Sequence, residues 1–294
     1  MRKLFYVSII LLFTSCLNLD ANMFDADNSI SAYLWDEFQQ EGEVVIGDEF
    51  TVDPDEQYLF TLKSEYDGTS EDIYALYLGN IGDLNKDTVI VYCHGNFGHM
   101  DIYWERAKLL YYTGGKSHYG VLMMDYRGFG LSGGNVEEAS LIPDVQACID
   151  WLKLHGLTDD RMIIYGFSLG SVPAIGMCVN GKNDPAKLIL EAPIGNVDAM
   201  VQGSSSISMP ASYVVGLEFD NIASIRSVQQ DLLLIHGLAD SFLPYNTHGQ
   251  PVYDNHPGEN KEKVLVTGGE HGNTPHMMGV YDYMDRLEAF IKSK

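Results

Sequence analysis

Three side chains in this sequence have the types and the order needed to move an acyl group. Ser168 stands in Gly166-Phe167-Ser168-Leu169-Gly170, between the apolar run MIIYGF and a second run, SVPAIGMCV. A serine in such a turn can simply cap the helix that follows, with the glycines supplying backbone freedom. The same five residues also fit G-x-S-x-G, a sharp strand-to-helix turn that exposes a nucleophilic hydroxyl. That hydroxyl is weak by itself and needs a base, an acid to orient the base, and donors for the developing oxyanion. Asp240 follows DLLLIHG and His271 follows KVLVTGG, so each falls just past the end of an apolar strand-like run. The order Ser168, Asp240, His271 makes them nucleophile, acid and base. The loop after VIVYCHG supplies Asn96, whose backbone N–H, with that of Leu169, is placed to donate to an oxyanion. His94 precedes that donor and reads as a brace for the loop, and Asp125 as a partner of the turn after its strand. Asp198 is an alternative acid in an earlier position.

Such residues meet only if a sheet brings the strand ends to one edge. From Asp87 onward the chain alternates: DTVIVYCHG reads as a strand buried on both faces and YGVLMMDYRG as the next buried strand, and RMIIYG, AKLILEAP, DLLLIHG and EKVLVTGG read as further strands. Helical stretches, including MDIYWERAKLLYYTGG, IPDVQACIDWLKLHG, SVPAIGMCV and VYDYMDRLEAFIKS, lie between or after them. That rhythm specifies a mainly parallel α/β sheet with helices on both faces, and ligands in such sheets sit at the carboxyl ends of strands. Upstream, EVVIGDEFTV, QYLFTLKS and DIYALYLG read as an antiparallel meander. The stretch from Val197 to Arg226 carries no clear pattern.

Taken together, VYCHGNFG, MMDYRGFGLSGG, IIYGFSLGS, LLIHGLADSFLP and GGEHGN resemble the α/β-hydrolase superfamily, and within it the Bem46-like serine hydrolases. The resemblance runs from about Val89 to the end of the chain. It implies the α/β-hydrolase fold and an acyl-enzyme on Ser168, with Asp240 as acid, His271 as base and the Asn96 and Leu169 amides as oxyanion donors. It implies no metal or organic cofactor. The segment SSSISMPASYVV, Ser204 to Val215, is short where many relatives carry a lid, which leaves acyl specificity open. A haloalkane dehalogenase or epoxide hydrolase would have an aspartate where Ser168 stands. An esterase and an aminopeptidase-type enzyme share the machinery and differ in the pocket. Candidate acids for holding a substrate amine, such as Glu191 and Asp198, cannot be placed from sequence. A non-catalytic binding protein of the same fold would have little reason to keep all three residues.

Acidic residues outnumber basic ones 41 to 18, a formal net charge of -23, which repels phosphate backbones and excludes a nucleic-acid partner. The substrate class that remains is a small acyl ester or amide; the oligomeric state is open. The amino terminus, MRKLFYVSIILLFTSC, has two basic residues, an apolar run and small polar residues before Cys16. It reads as an export signal, residues 1–15, too short to span a bilayer. Phe13-Thr14-Ser15-Cys16 resembles the lipobox of bacterial lipoproteins, with Phe13 where leucine is preferred. The expectation is an exported lipoprotein of the cell envelope, anchored in the bilayer by acyl chains on Cys16. An ordinary cleaved signal is the alternative. Residues 16–31 then form a tether and 32–294 a single domain. Cys93, Cys148 and Cys178 sit in apolar contexts and read as buried thiols.

Overall fold

The computed structural model describes residues 23–38, 44–204 and 216–294. The strands are β1 (Asp25–Ala26), β2 (Gln57–Tyr66), β3 (Thr69–Leu78), β4 (Val89–Cys93) and β5 (Phe97–Gly98). After α1 (Trp104–Tyr112) come β6 (Gly120–Met124), α2 (Leu141–Leu154), β7 (Met162–Phe167), α3 (Ser171–Val179) and β8 (Lys187–Glu191). The remainder comprises α4 (Val197–Ser204), α5 (Asn221–Ser224), β9 (Asp231–Gly237), α6 (Gly249–Asn255), β10 (Lys261–Val266), α7 (Thr274–Met278) and α8 (Val280–Lys292). Eight strands form one sheet in the order β10-β9-β8-β7-β4-β6-β3-β2. The pairs from β6 through β10 are parallel, and β2 and β3 are antiparallel. This is the α/β-hydrolase fold.

The period of two along each central strand divides the core into two layers. On β4, Val89, Val91 and Cys93 join one layer, while Ile90 and Tyr92 join the other. The first layer is completed by Leu141, Val145, Ile149 and Leu152 of α2 with Val172 and Ile175 of α3. Trp104, Ala107 and Leu110 of α1 and Leu287 and Phe290 of α8 complete the second. Every β4, β6, β7 and β8 residue is buried, which explains why those runs are continuously apolar instead of alternating. Burial of each such side chain contributes about 1.5–3 kcal/mol.

The connection leaving β4 leads outward to β6 on one side, whereas β7 leads through α3 to β8 on the other. Adjacent strands whose connections diverge open a crevice at their carboxyl ends. Asn96 follows β4 and Ser168 follows β7, so the fold places both at that crevice.

Three expectations change. Residues 44–52 of EVVIGDEFTV run without strand pairing, because Phe50 and Val52 bury against the helical face instead of extending the sheet, so the meander has two strands before β6. The unpatterned region contains α4 and α5, and the short segment from 205 to 215 lies outside the described residues. The expected tether is part of the fold from Met23 onward: Asp25 and Ala26 pair with Phe97 and Gly98. Cys16 and the expected signal also lie outside the described residues. Cys93, Cys148 and Cys178 are buried free thiols, and burial pushes all three thiols up.

Candidate active site

Ser168 has φ +52°, a left-handed conformation costing roughly 1–2 kcal/mol in a residue with a Cβ. The turn is held there by close packing. A Cβ at Gly170 would lie 2.0 Å from the Cys93 carbonyl oxygen, and one at Gly166 2.7 Å from the Ala174 Cβ. Both glycines are thus fixed by contact with β4 and α3. The tight turn carries the Ser168 hydroxyl over the end of the sheet.

His271 Nε2 lies 2.9 Å from Ser168 Oγ, and His271 Nδ1 lies 2.8 Å from Asp240 Oδ2. With Nδ1–H donating to the carboxylate, Nε2 is left to accept the serine proton. The three residues expected from sequence are therefore joined in one hydrogen-bonded chain. The other Asp240 oxygen accepts N–H bonds from Phe242 at 2.9 Å and Leu243 at 2.8 Å. Burial works to raise the Asp240 pKa, but hydrogen bonds from His236, His271 and Leu243 and the positive field of His271 hold it well below the usual carboxylate range. The His271 ring lies between Phe167 and Phe242, with centroid distances of 5.3 and 5.0 Å. Asp198 is exposed at the start of α4, and Asp240 occupies the place beside the histidine. His276 is exposed on α7.

Asn96 and Leu169 both line the cavity that holds Ser168. The loop carrying Asn96 is braced from beneath. His94 Nδ1 donates to the Gly95 carbonyl at 2.7 Å, and its ring stacks on Tyr103 at 4.7 Å. Tyr103 in turn accepts the Phe97 N–H at 2.9 Å. Asp125 lies beside this brace: one carboxylate oxygen is 3.2 Å from His94 Nε2 with no hydrogen bond between them, and the other accepts the Tyr33 hydroxyl at 2.7 Å.

A second polar network under the histidine loop is absent from the sequence expectations. Glu191, fully buried at the end of β8, takes Arg106 Nη1 at 2.6 Å and the Tyr283 hydroxyl at 2.9 Å. It also accepts from Tyr165 and from Thr274 of the histidine loop. Arg106 Nη2 donates to the Gly272 carbonyl at 2.8 Å, and its guanidinium lies 4.3 Å from the Phe167 ring centroid. Glu191 is thus engaged on every side and is not available to hold a substrate amine. One signal existed: Arg106 sits one turn before Leu109 and Leu110 on α1, both fully buried, so a charge faces the core.

The cavity at Ser168 has a volume of about 610 Å³, within the range of small-ligand sites. Its lining is largely apolar, with Met23, Phe24, Ile194, Met200, Leu217, Phe219 and Phe242. Asp25 is its one carboxylate among the described residues. No helix among the described residues is long and apolar enough to cross a membrane.

Comparison with known proteins bears on the fold. Residues 85–220 match the family described as serine aminopeptidase, S33. The chain is 30% identical over 203 residues to the Mycobacterium tuberculosis protein Rv2307c, covering 69% of each. It is 30% identical over 193 residues to Escherichia coli YfhR, and the match spans 64% of that protein's length, just under two thirds. Human alpha/beta hydrolase domain-containing protein 17B is 26% identical over 218 residues, with 71% of this chain and 68% of that protein covered. Among solved structures, the Pyrococcus furiosus esterase Pf2001 superposes with a TM-score of 0.63 at 21% identity, covering 80% of this chain and 92% of that one. Sheet order, the turn at Ser168 and these likenesses converge: the chain has the α/β-hydrolase fold and is similar to proteins of that superfamily.

Proposed function

We propose that this hydrolase cleaves carboxylic esters through an acyl-enzyme on Ser168. The observation that carries the reading is the continuous chain from Ser168 Oγ through His271 to the ionised Asp240. His271 Nε2 takes the Ser168 proton as Oγ attacks the ester carbonyl. Asp240 holds the imidazole tautomer and stabilises the imidazolium, while the Asn96 and Leu169 amides receive the oxyanion. His271 then returns the proton to the leaving alcohol. Water, deprotonated by His271, attacks the acyl-enzyme and releases the acid. No step calls for a metal or organic cofactor. The apolar lining favours an ester of a hydrophobic acid over a peptide.

A second reading, an aminopeptidase-type enzyme, is supported by Asp25 at the cavity, which could pair with a substrate amine, and by the description of the matched family. A panel of p-nitrophenyl esters and aminoacyl p-nitroanilides separates the two. The ester reading expects turnover of esters with kcat/KM at least about a hundredfold above the anilides. Faster anilide turnover, lost on Asp25→Asn, overturns it in favour of the peptidase.

We further propose export and acylation of Cys16. Met23 lies seven positions beyond Cys16, so the linking chain spans at most about 25 Å and would hold the cavity near a bilayer surface. Metabolic labelling with an alkynyl fatty acid, compared with Cys16→Ala, tests this; equal labelling of both proteins overturns it.

A further inference from the structure

The cavity at Ser168 is not enclosed by the sheet and its loops alone. Part of its lining comes from far upstream, where Met23, Phe24 and Asp25 join Ile194, Phe219 and Phe242 around it. Several bonds hold this strap in place. Asn96 Nδ2 donates to the Met23 carbonyl at 2.8 Å, and the Asp25 N–H donates to Asn96 Oδ1 at 3.4 Å. Asp25 and Ala26 pair in parallel with Phe97 and Gly98, the residues directly after Asn96. Beyond them, the Asp27 N–H donates to the Gly98 carbonyl at 3.0 Å, and its own carbonyl accepts the Gly130 N–H at 2.9 Å. Met23, Phe24 and Ala26 are partly buried against the core layer that contains Leu169 and Ile194. A solvated linker would have no use for these contacts.

The side chain of Asn96 therefore grips the strap beside the cavity that holds Ser168. Whatever sits beside Ser168 must fit against residues that the strap supplies. We propose that Met23 and Phe24 are specificity-determining residues, forming the wall that limits the length of an apolar, uncharged acyl group bound next to Ser168. This rests on the serine-hydrolase reading above. The apolar lining selects hydrocarbon, since each methylene buried there gains roughly fourfold in binding. Asp25, the only charged group in the lining among the described residues, disfavours an acyl group that carries its own carboxylate.

Two substitutions in the full chain test the wall from opposite sides. Phe24→Ala opens it and Met23→Trp fills it. With p-nitrophenyl butyrate and decanoate, the decanoate-to-butyrate ratio of kcat/KM is expected to rise at least about tenfold in Phe24→Ala and to fall at least about tenfold in Met23→Trp. A single cooperative thermal unfolding transition in both variants shows that the fold is intact. Ratios within about twofold of wild type in both variants overturn the proposal. A readout without turnover separates it from the reading on which it rests: calorimetric binding of 1-decanol to the same variants carrying Ser168→Ala. If no ester is hydrolysed but decanol affinity changes in the two expected directions, the wall stands and the esterase reading falls. Unchanged or undetectable decanol binding in that case overturns the wall as well.

Discussion

Replacing Glu191 by Gln keeps the shape of the side chain and removes its charge. Arg106, 2% exposed, then remains a buried cation with no counter-ion, because its other described partner is the Gly272 carbonyl. Breaking a buried pair from one side costs about 3–5 kcal/mol. For a domain of this size each kcal/mol lowers Tm by about 2–4 °C, so the expected loss is about 6–20 °C. The effect on catalysis follows from what the pair holds. Arg106 fixes Gly272 and Glu191 fixes Thr274, the first and third residues after His271. A shift of about 1 Å in a reacting group costs roughly a hundredfold in rate, so kcat should fall about 10- to 100-fold with KM little changed. Ester hydrolysis measured well below the Tm of the variant separates this from unfolding. Replacing both partners, Arg106→Met with Glu191→Leu, removes the uncompensated charge and should recover much of the lost stability. It should not recover kcat, because Gly272 and Thr274 remain unanchored. A loss of less than about 3 °C in Glu191→Gln, or full kcat in the double variant, would refute the reasoning.

Asp240→Asn should lower kcat by about 10⁴, as an amide favours the wrong imidazole tautomer, while Asp198→Asn should leave it within about twofold; steady-state kinetics of both variants decide which acid serves. Ser168→Gly should raise stability by roughly 1 kcal/mol in urea denaturation, since glycine adopts φ +52° without strain, and a lower midpoint would show that the turn is relaxed. Buried His248, whose Nδ1 accepts the Gly195 N–H at 3.0 Å, has its pKa lowered to about 4 by burial, with the neighbouring His236 adding to the effect. The unfolded chain therefore takes up a proton that the folded chain refuses, so stability falls as pH drops from about 6.5 to 4, by on the order of 2 kcal/mol. His248→Gln should flatten that part of the urea-midpoint profile between pH 7 and 4.5; an equally steep profile would exclude His248 as the source.

The parallel sheet was legible because its central strands are buried on both faces, which writes them as unbroken apolar runs ending at glycine-rich turns, while the half-buried edge strand β10 keeps the short run Val264-Leu265-Val266 before its glycines. Ser168, Asp240 and His271 were legible for the same reason: each stands just beyond such a run, and the strand ends share one edge. The fate of EVVIGDEFTV was not, because β-branched residues that pack against a helix look like those that join a sheet. Glu191 and Arg106 are separated by 85 positions, and nothing local to either marks the other as its partner. Only the charge facing inward on α1 hinted at a pair. The strap escaped notice because Met23-Phe24-Asp25-Ala26 is short and polar-flanked, and its contacts depend on where Asn96 points.

The most direct measurement is the rate and site of fluorophosphonate labelling, read by mass spectrometry of the peptide containing Ser168. Activation by His271 and Asp240 predicts one adduct per chain, on Ser168, with labelling at least about a hundredfold slower in His271→Ala. An adduct on another residue, or equal labelling with and without His271, would contradict the proposed acyl-transfer site.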